Sequence, residues 1–309
     1  MIDLLYITSA SFSGSTLLTL LLAAHDRIAT LGELKGSAMG DIDTYACSCG
    51  TPIRCCGFWS RLGAELTRRG VGFDLARFGT HFRMLASGSL ADRVVRAAVR
   101  GRFFEAARGA ALRLLPGATR ELAAILERNR VVVEAACALR GATSFLDGSK
   151  EPNRLKYMIV SGLWNVRAIH LVRDGRGVTY SLLRRQRGLP TANRARLVSA
   201  AARHWRSVNE SCERVIRLLP PDRVARVRYE DLCRAPEAAL RPILALAGIG
   251  AQQPPRDFGS IEHHIVGNPM RLRRGQIQLD EKWRAGLSAG ELKLFEAQAG
   301  EVNRRYGYA

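Results

Sequence analysis

Two segments of this chain carry residue types that hold phosphate. The string Ser13-Gly14-Ser15-Thr16-Leu17 closes a loop of mostly small residues (9–15) and opens an apolar, helix-forming run (16–24). A strand, a small-residue loop and a helix in that order aim loop amides and a helix N-terminus at an anion. The second segment is Arg173-Asp174-Gly175-Arg176-Gly177, followed by a helical pattern that carries Ser181 and Arg185. Arginine offers a two-pronged donor to a phosphate dianion, and a helical hydroxyl adds a third. The first loop lacks the Gly-Lys-Ser/Thr ending of a magnesium-nucleotide loop: Ser15 stands where the lysine would be, and only Asp147 offers a weak substitute for the magnesium-holding acid. A P-loop-like phosphoryl transferase therefore lacks its main parts. A loop that holds phosphate with amides and hydroxyls alone is left.

Strands and helices must position these segments. Residues 4–8 form a short apolar run suited to a buried parallel strand. Further strands are expected at 144–147, ending in Asp147-Gly148-Ser149-Lys150, at 166–172, ending at Arg173, and at 224–229, ending at Glu230-Asp231. Strands separated by helices, each with polar residues at its C-terminal end, predict a mostly parallel sheet with ligands outside the carboxyl ends. Between about 60 and 143 the text turns helical: residues 83–140 hold eleven arginines, five acids and no lysine, with apolar residues at helical spacing. This stretch reads as a helical insert in a single 1–309 domain. It would either build the acceptor side, with peripheral membrane contact open to its basic amphipathic helices, or simply cover the sheet.

The two phosphate segments together resemble the sulfotransferases that use 3′-phosphoadenosine 5′-phosphosulfate (PAPS), above all the tyrosylprotein and carbohydrate-type branches. The resemblance covers roughly 1–36 and 144–285 and implies an α/β, P-loop-like sulfotransferase fold with PAPS as co-substrate, 3′-phosphoadenosine 5′-phosphate (PAP) as product and no catalytic metal. It implies that Ser13, Gly14, Ser15, Thr16 and Leu17 hold the 5′-phosphosulfate, although Phe12 occupies the usual basic position. Arg173, Ser181 and Arg185 would hold the 3′-phosphate, and Tyr229, in Arg228-Tyr229-Glu230-Asp231-Leu232, would lie near the nucleotide. The string Gly267-Asn268-Pro269-Met270-Arg271 through Lys282-Trp283 resembles the family's closing loop, with Arg271, Arg273, Arg274 and Lys282 as its phosphate-facing candidates. Glu33, in Leu31-Gly32-Glu33-Leu34, matches a family glutamate and is expected to act as general base. His263 or His264 is the alternative base. Lys150 matches a family lysine and is expected to stabilise the leaving group.

Lysine is scarce here: only five of 47 basic residues, with Lys35, Lys150 and Lys282 falling in site segments. A compact ammonium reaches a transferring group where a guanidinium fork does not fit. The formal charge of +19 raises a rival reading, a non-catalytic anion or nucleic-acid binder. Aromatics at 7% with no array on a basic face argue against nucleic acid. The expected acceptor is a hydroxyl-bearing glycan or small molecule; sugar, lipid, peptide and secondary metabolite are all compatible. No apolar run approaches the roughly 20 residues of a membrane span, and Asp3 and the polar run Thr8–Ser11 do not suit a signal peptide, so a soluble, cytoplasmic protein is expected. Seven cysteines are an odd number, and Cys47, Cys49, Cys55 and Cys56 crowd together. They supply enough thiolates for a structural zinc site; a disulfide or free thiols are the alternatives.

Overall fold

Apolar residues alternate along β1 (Asp3–Thr8): Leu4 and Tyr6 enter one core, Leu5 and Ile7 another. That is the pattern of a strand covered on both faces. The computed structural model describes residues 2–36, 39, 41–84, 86–185, 193–250, 263–273 and 276–309. In it, β1 lies between β3 (Ser144–Lys150) and β4 (Asn165–Val172), flanked in turn by β2 (Ile28–Thr30) and β5 (Val224–Arg228). The order is β2-β3-β1-β4-β5 and every pairing is parallel. The chain runs to one side of β1 for β2 and β3, then crosses to β4 and β5. Ligands of such sheets bind where that direction reverses, beyond the carboxyl ends of β1 and β4.

Helix α1 (Ser15–Ala23) follows β1 and packs on the Leu5 face. Four helices then fill the long connection from β2 to β3: α2 (Gly57–Arg68), α3 (Leu90–Arg96), α4 (Arg102–Arg113) and α5 (Pro116–Arg140). They share the Leu4 face with α6 (Pro152–Ser161). A third cluster beside β4 joins α7 (Gly175–Arg185), α8 (Arg194–Ile216) and α12 (Ala289–Arg305), with Trp205 and Phe295 at its centre. Between α8 and α12 run α9 (Tyr229–Arg234), α10 (Pro236–Leu246) and the single turn α11 (Trp283–Gly286). Among the described residues no helix is long and apolar enough to cross a membrane.

The α/β class and parallel sheet agree with the sequence reading, with three differences. β2 was not expected, because three residues carry no readable period. The strand expected at 144–147 continues to Lys150 through a bulge: Tyr6 pairs with Asp147, but Thr8 pairs with Lys150. Tyr229, expected to end a strand, instead opens α9.

Candidate active site

The N-termini of α1 and α7 both face the carboxyl end of the sheet, and their capping differs. At α7, Asp174 accepts from the Arg176 amide (2.9 Å), so that end already has an anion. At α1 the capping position is Gly14 (φ 90°), no side chain caps the helix, and its first turn contains no acid. The first-turn amides of a helix have no internal acceptor, and the dipole there favours negative charge. Gly14 is required twice over. Its left-handed backbone suits glycine, and a Cβ there would lie 2.4 Å from the Tyr229 ring. Ser13 is buried and its hydroxyl has no hydrogen-bond partner. Phe12 also adopts a positive φ (64°), an outlier of the kind that gathers at binding loops.

Arg173, at the end of β4, binds this loop to the C-terminal part of the chain. Its guanidinium donates to the Phe12 carbonyl (2.9 Å) and the Asp280 carbonyl (2.7 Å), and lies 4.6 Å from the Tyr229 ring centroid. The Asp280 carboxylate stands 3.3 Å away and is the anion that Arg173 faces. Ser181 lies nearly two turns into α7, donating to the Gly177 carbonyl (2.8 Å), and Arg185 is exposed at the far end of that helix. Tyr229 bridges the two segments: its ring covers Gly14, and its hydroxyl accepts from the Asp280 amide (3.2 Å). Burial raises the pKa of that phenol, so it stays protonated.

Glu33 and Lys150 come from segments 117 residues apart and form an ion pair. Asp147 and Ser149 arrange the meeting. The Asp147 carboxylate accepts from the Leu34 amide (3.3 Å) and the Ser149 amide (2.9 Å), and the Ser149 hydroxyl accepts from the Lys35 amide (2.9 Å). Asp147 spends its other oxygen on Arg154 (2.8 Å), so it is a buried brace, not a magnesium-holding acid. The bulge in β3 leaves Lys150 at φ 73° with its carbonyl on the Ser9 amide (3.2 Å), at the start of the loop that leads into α1. Bulges commonly re-aim a side chain beside a site. Lys35 stands 3.5 Å from the other Glu33 oxygen and 3.2 Å from Glu151. Burial opposes the Lys35 charge, but Glu151 and then Glu33 outweigh it and its pKa is raised. A carboxylate between two ammonium groups, all mostly buried, can exchange a proton with a hydroxyl while a lysine turns to a new anion.

A further strand-like segment closes over Glu33. Val266 bridges Gly32 in parallel, its carbonyl accepting from the Glu33 amide (3.4 Å). Gly267 (φ 119°) then passes so close that a Cβ would sit 2.9 Å from Glu33 Cγ. Several sequence candidates lie elsewhere. Arg271 is buried, donating to the Ala46 carbonyl (2.7 Å) and the Gly267 carbonyl (2.6 Å), and so braces this segment instead of facing open space. Arg273 and Lys282 are exposed, and Arg274 lies outside the described residues. Of the alternative bases, His264 turns its Nδ1 to Cys56 Sγ (3.3 Å), among the cysteines. Cys55 is exposed and stands apart from that group. Sequence reasoning missed the positioning roles of Asp147, Ser149 and Gly267; the Gly267-Asn268-Pro269 turn was the one local signal for the last.

The model of the sulfotransferase family matches residues 76–253, more than half of the chain. The chain belongs to the sulfotransferase family. The matched span includes Lys150, Arg173, Ser181, Arg185 and Tyr229, whereas the α1 loop and Glu33 precede it. Mouse carbohydrate sulfotransferase 5 is 29% identical over 166 residues, 47% of this chain and 42% of that protein, so this sulfotransferase spans less than half of that relative's length. The fold is that of solved sulfotransferases. The sulfotransferase domain from the Synechococcus PCC 7002 olefin synthase aligns with TM-score 0.52 at 20% identity, over 96% of this chain and 94% of that one. The sulfotransferase domain from the curacin biosynthetic pathway aligns with TM-score 0.51 at 17% identity, over 100% and 99%.

Proposed function

We propose that this sulfotransferase moves a sulfuryl group from PAPS to a hydroxyl acceptor. One observation carries the reading: the Glu33–Lys150 pair abuts, through the Lys150 carbonyl on Ser9, the loop that leads into an uncapped helix N-terminus. The donor set suits a phosphosulfate, with free first-turn amides at residues 15–17, the unpartnered Ser13 hydroxyl and the Ser15 and Thr16 side chains. Arg173 would exchange the Asp280 carboxylate for the 3′-phosphate, with Ser181 and Arg185 on the adjoining helix as further ligands and Tyr229 packed beside the nucleotide.

In the transfer, a new bond forms between the acceptor oxygen and sulfur as the bond from sulfur to the bridging oxygen breaks. Its electron pair leaves on the 5′-phosphate. Glu33 takes the acceptor proton and Lys150 shifts from Glu33 toward the departing oxygen. Lys35, 3.5 Å from the other Glu33 oxygen, holds the carboxylate in place until then. No step needs a metal.

The acceptor side is the connection from β2 to β3. Phe78 packs on Gly36, and the Thr80 hydroxyl donates to the Leu34 carbonyl, so this connection borders the Glu33 turn. The mouse relative's name favours a sugar hydroxyl. Transfer of radiolabelled sulfate from PAPS to a panel of glycan, lipid and phenolic acceptors tests the reading. Product with at least one hydroxyl class, lost in Glu33→Gln, supports it. PAPS left intact with every acceptor, or full activity in Glu33→Gln, would refute it.

A further inference from the structure

Beyond the transfer site, three cysteines and one histidine converge from two parts of the chain. Cys47, Cys49 and Cys56 come from the loop after Glu33, and His264 comes from the segment that closes over Glu33. Their ligand atoms all lie within 4.8 Å of one another. Cys49 Sγ is 3.8 Å from Cys56 Sγ, and His264 Nδ1 is 3.3 Å from Cys56 Sγ and 3.9 Å from Cys47 Sγ. A tetrahedral zinc ion with bonds of about 2.3 Å to sulfur and about 2.0 Å to nitrogen requires spacings of about 3.8 Å between sulfurs and about 3.6 Å from sulfur to nitrogen. The observed distances scatter around those values, and 3.8 Å is far beyond the roughly 2.05 Å of a disulfide.

We infer that Cys47, Cys49, Cys56 and His264 form a structural zinc site of the Cys3His type. The surroundings are built for it. Cys47 and Cys56 are buried, and the Cys47 carbonyl accepts from the Gly50 amide (2.9 Å) in a tight turn with Gly50 at φ 94°. His264 stacks on Phe58, with ring centroids 4.8 Å apart and planes 4° from parallel, which sets the direction of Nδ1. The loop and the histidine segment are also joined by backbone: the Ile265 amide donates to the Ser48 hydroxyl (2.8 Å), and the Ser48 amide to the Ile265 carbonyl (3.3 Å). All four ligand positions are filled by protein, as in a structural rather than a catalytic site. Cys55, the fourth ligand expected from sequence, is displaced by a residue 208 positions from Cys56. The ion holds residues 263–267 against the Glu33 turn, so its loss loosens Gly267 over Glu33 while the α1 and α7 phosphate segments keep their shape.

Metal content of the purified full chain, expressed with zinc and handled without chelator, tests this by elemental analysis. About one zinc per chain is expected in wild type and in Cys55→Ser, with strong loss in Cys56→Ser and His264→Ala. Because those two variants could fail to fold, cobalt(II) substitution of the wild type gives a second readout. Intense thiolate-to-cobalt charge-transfer bands with tetrahedral d–d bands are expected at one equivalent, and His264→Cys should retain the ion with a stronger charge-transfer band. Metal-free wild type, retention in His264→Ala, loss in Cys55→Ser, octahedral cobalt spectra, or a Cys49–Cys56 disulfide in the unreduced protein would each overturn the assignment.

Discussion

The proposed phosphate side and the Glu33 side of the candidate site are built in opposite ways. The phosphate side uses local backbone: β1 turns directly into α1, and β4 into α7, so five successive residues make one cradle and a thirteen-residue span holds Arg173, Ser181 and Arg185. The Glu33 side is assembled from three distant segments, around residues 33, 147–150 and 264–267, held by the hydrogen bonds of Asp147 and Ser149 and by the close approach of Gly267. A cradle made of amides survives many side-chain changes. An assembled ion pair depends on every brace that brings its halves together.

That contrast yields separable effects. The largest is expected for Glu33→Gln, which removes the proposed proton acceptor yet keeps the shape: kcat should fall about 10²- to 10⁴-fold with the KM for PAPS nearly unchanged, checked by steady-state kinetics. A parallel rise in that KM would merge the two regions into one.

Next comes the sheet that carries both regions. His170 on β4 is fully buried, its Nε2 3.1 Å from Asn209 and its Nδ1 without a partner. Burial pushes its pKa down to about 4. The unfolded chain, with an ordinary histidine pKa near 6.5, binds the proton first, so stability is complete above about 6.5 and falls as the pH drops toward 4. The loss reaches about 3 kcal/mol. Urea unfolding at pH 7 and pH 4.5 should show it, and His170→Asn should flatten that part of the profile.

Arg173→Ala is expected to weaken PAP binding about 10- to 100-fold, the worth of a charge-assisted hydrogen bond or two, as read by calorimetry. The smallest effects should separate most cleanly. Alanine at Gly14 adopts a disfavoured backbone and meets Tyr229, at a cost of about 1–3 kcal/mol, and should act mainly on PAP affinity. Alanine at Gly267 meets Glu33 and should lower kcat while leaving PAP affinity alone. Equal effects of both glycines on both readouts would erase the distinction.

The same contrast explains what the sequence disclosed. The α1 loop and the Arg173 helix are contiguous, so their residue types and spacing were readable before any fold was known. Glu33 and Lys150 were reached through resemblance; their contact depends on the bulge that turns Lys150, which no periodicity records. Cys55 looked like a ligand because it neighbours Cys56, yet the two side chains diverge where the chain enters α2, and His264 arrives from far along the sequence. Arg271 became a phosphate candidate through the resemblance of its segment to a closing loop; here it donates to the carbonyls of Gly267 and Ala46.

PAP binding measured by calorimetry on the wild-type chain, with AMP and ATP as controls, tests the central claim most directly. The account predicts micromolar binding of PAP, at least tenfold tighter than AMP through the 3′-phosphate contacts of Arg173 (about 1.4 kcal/mol or more), and weak binding of ATP. Equal affinity for PAP, AMP and ATP, or no binding of PAP, would contradict it.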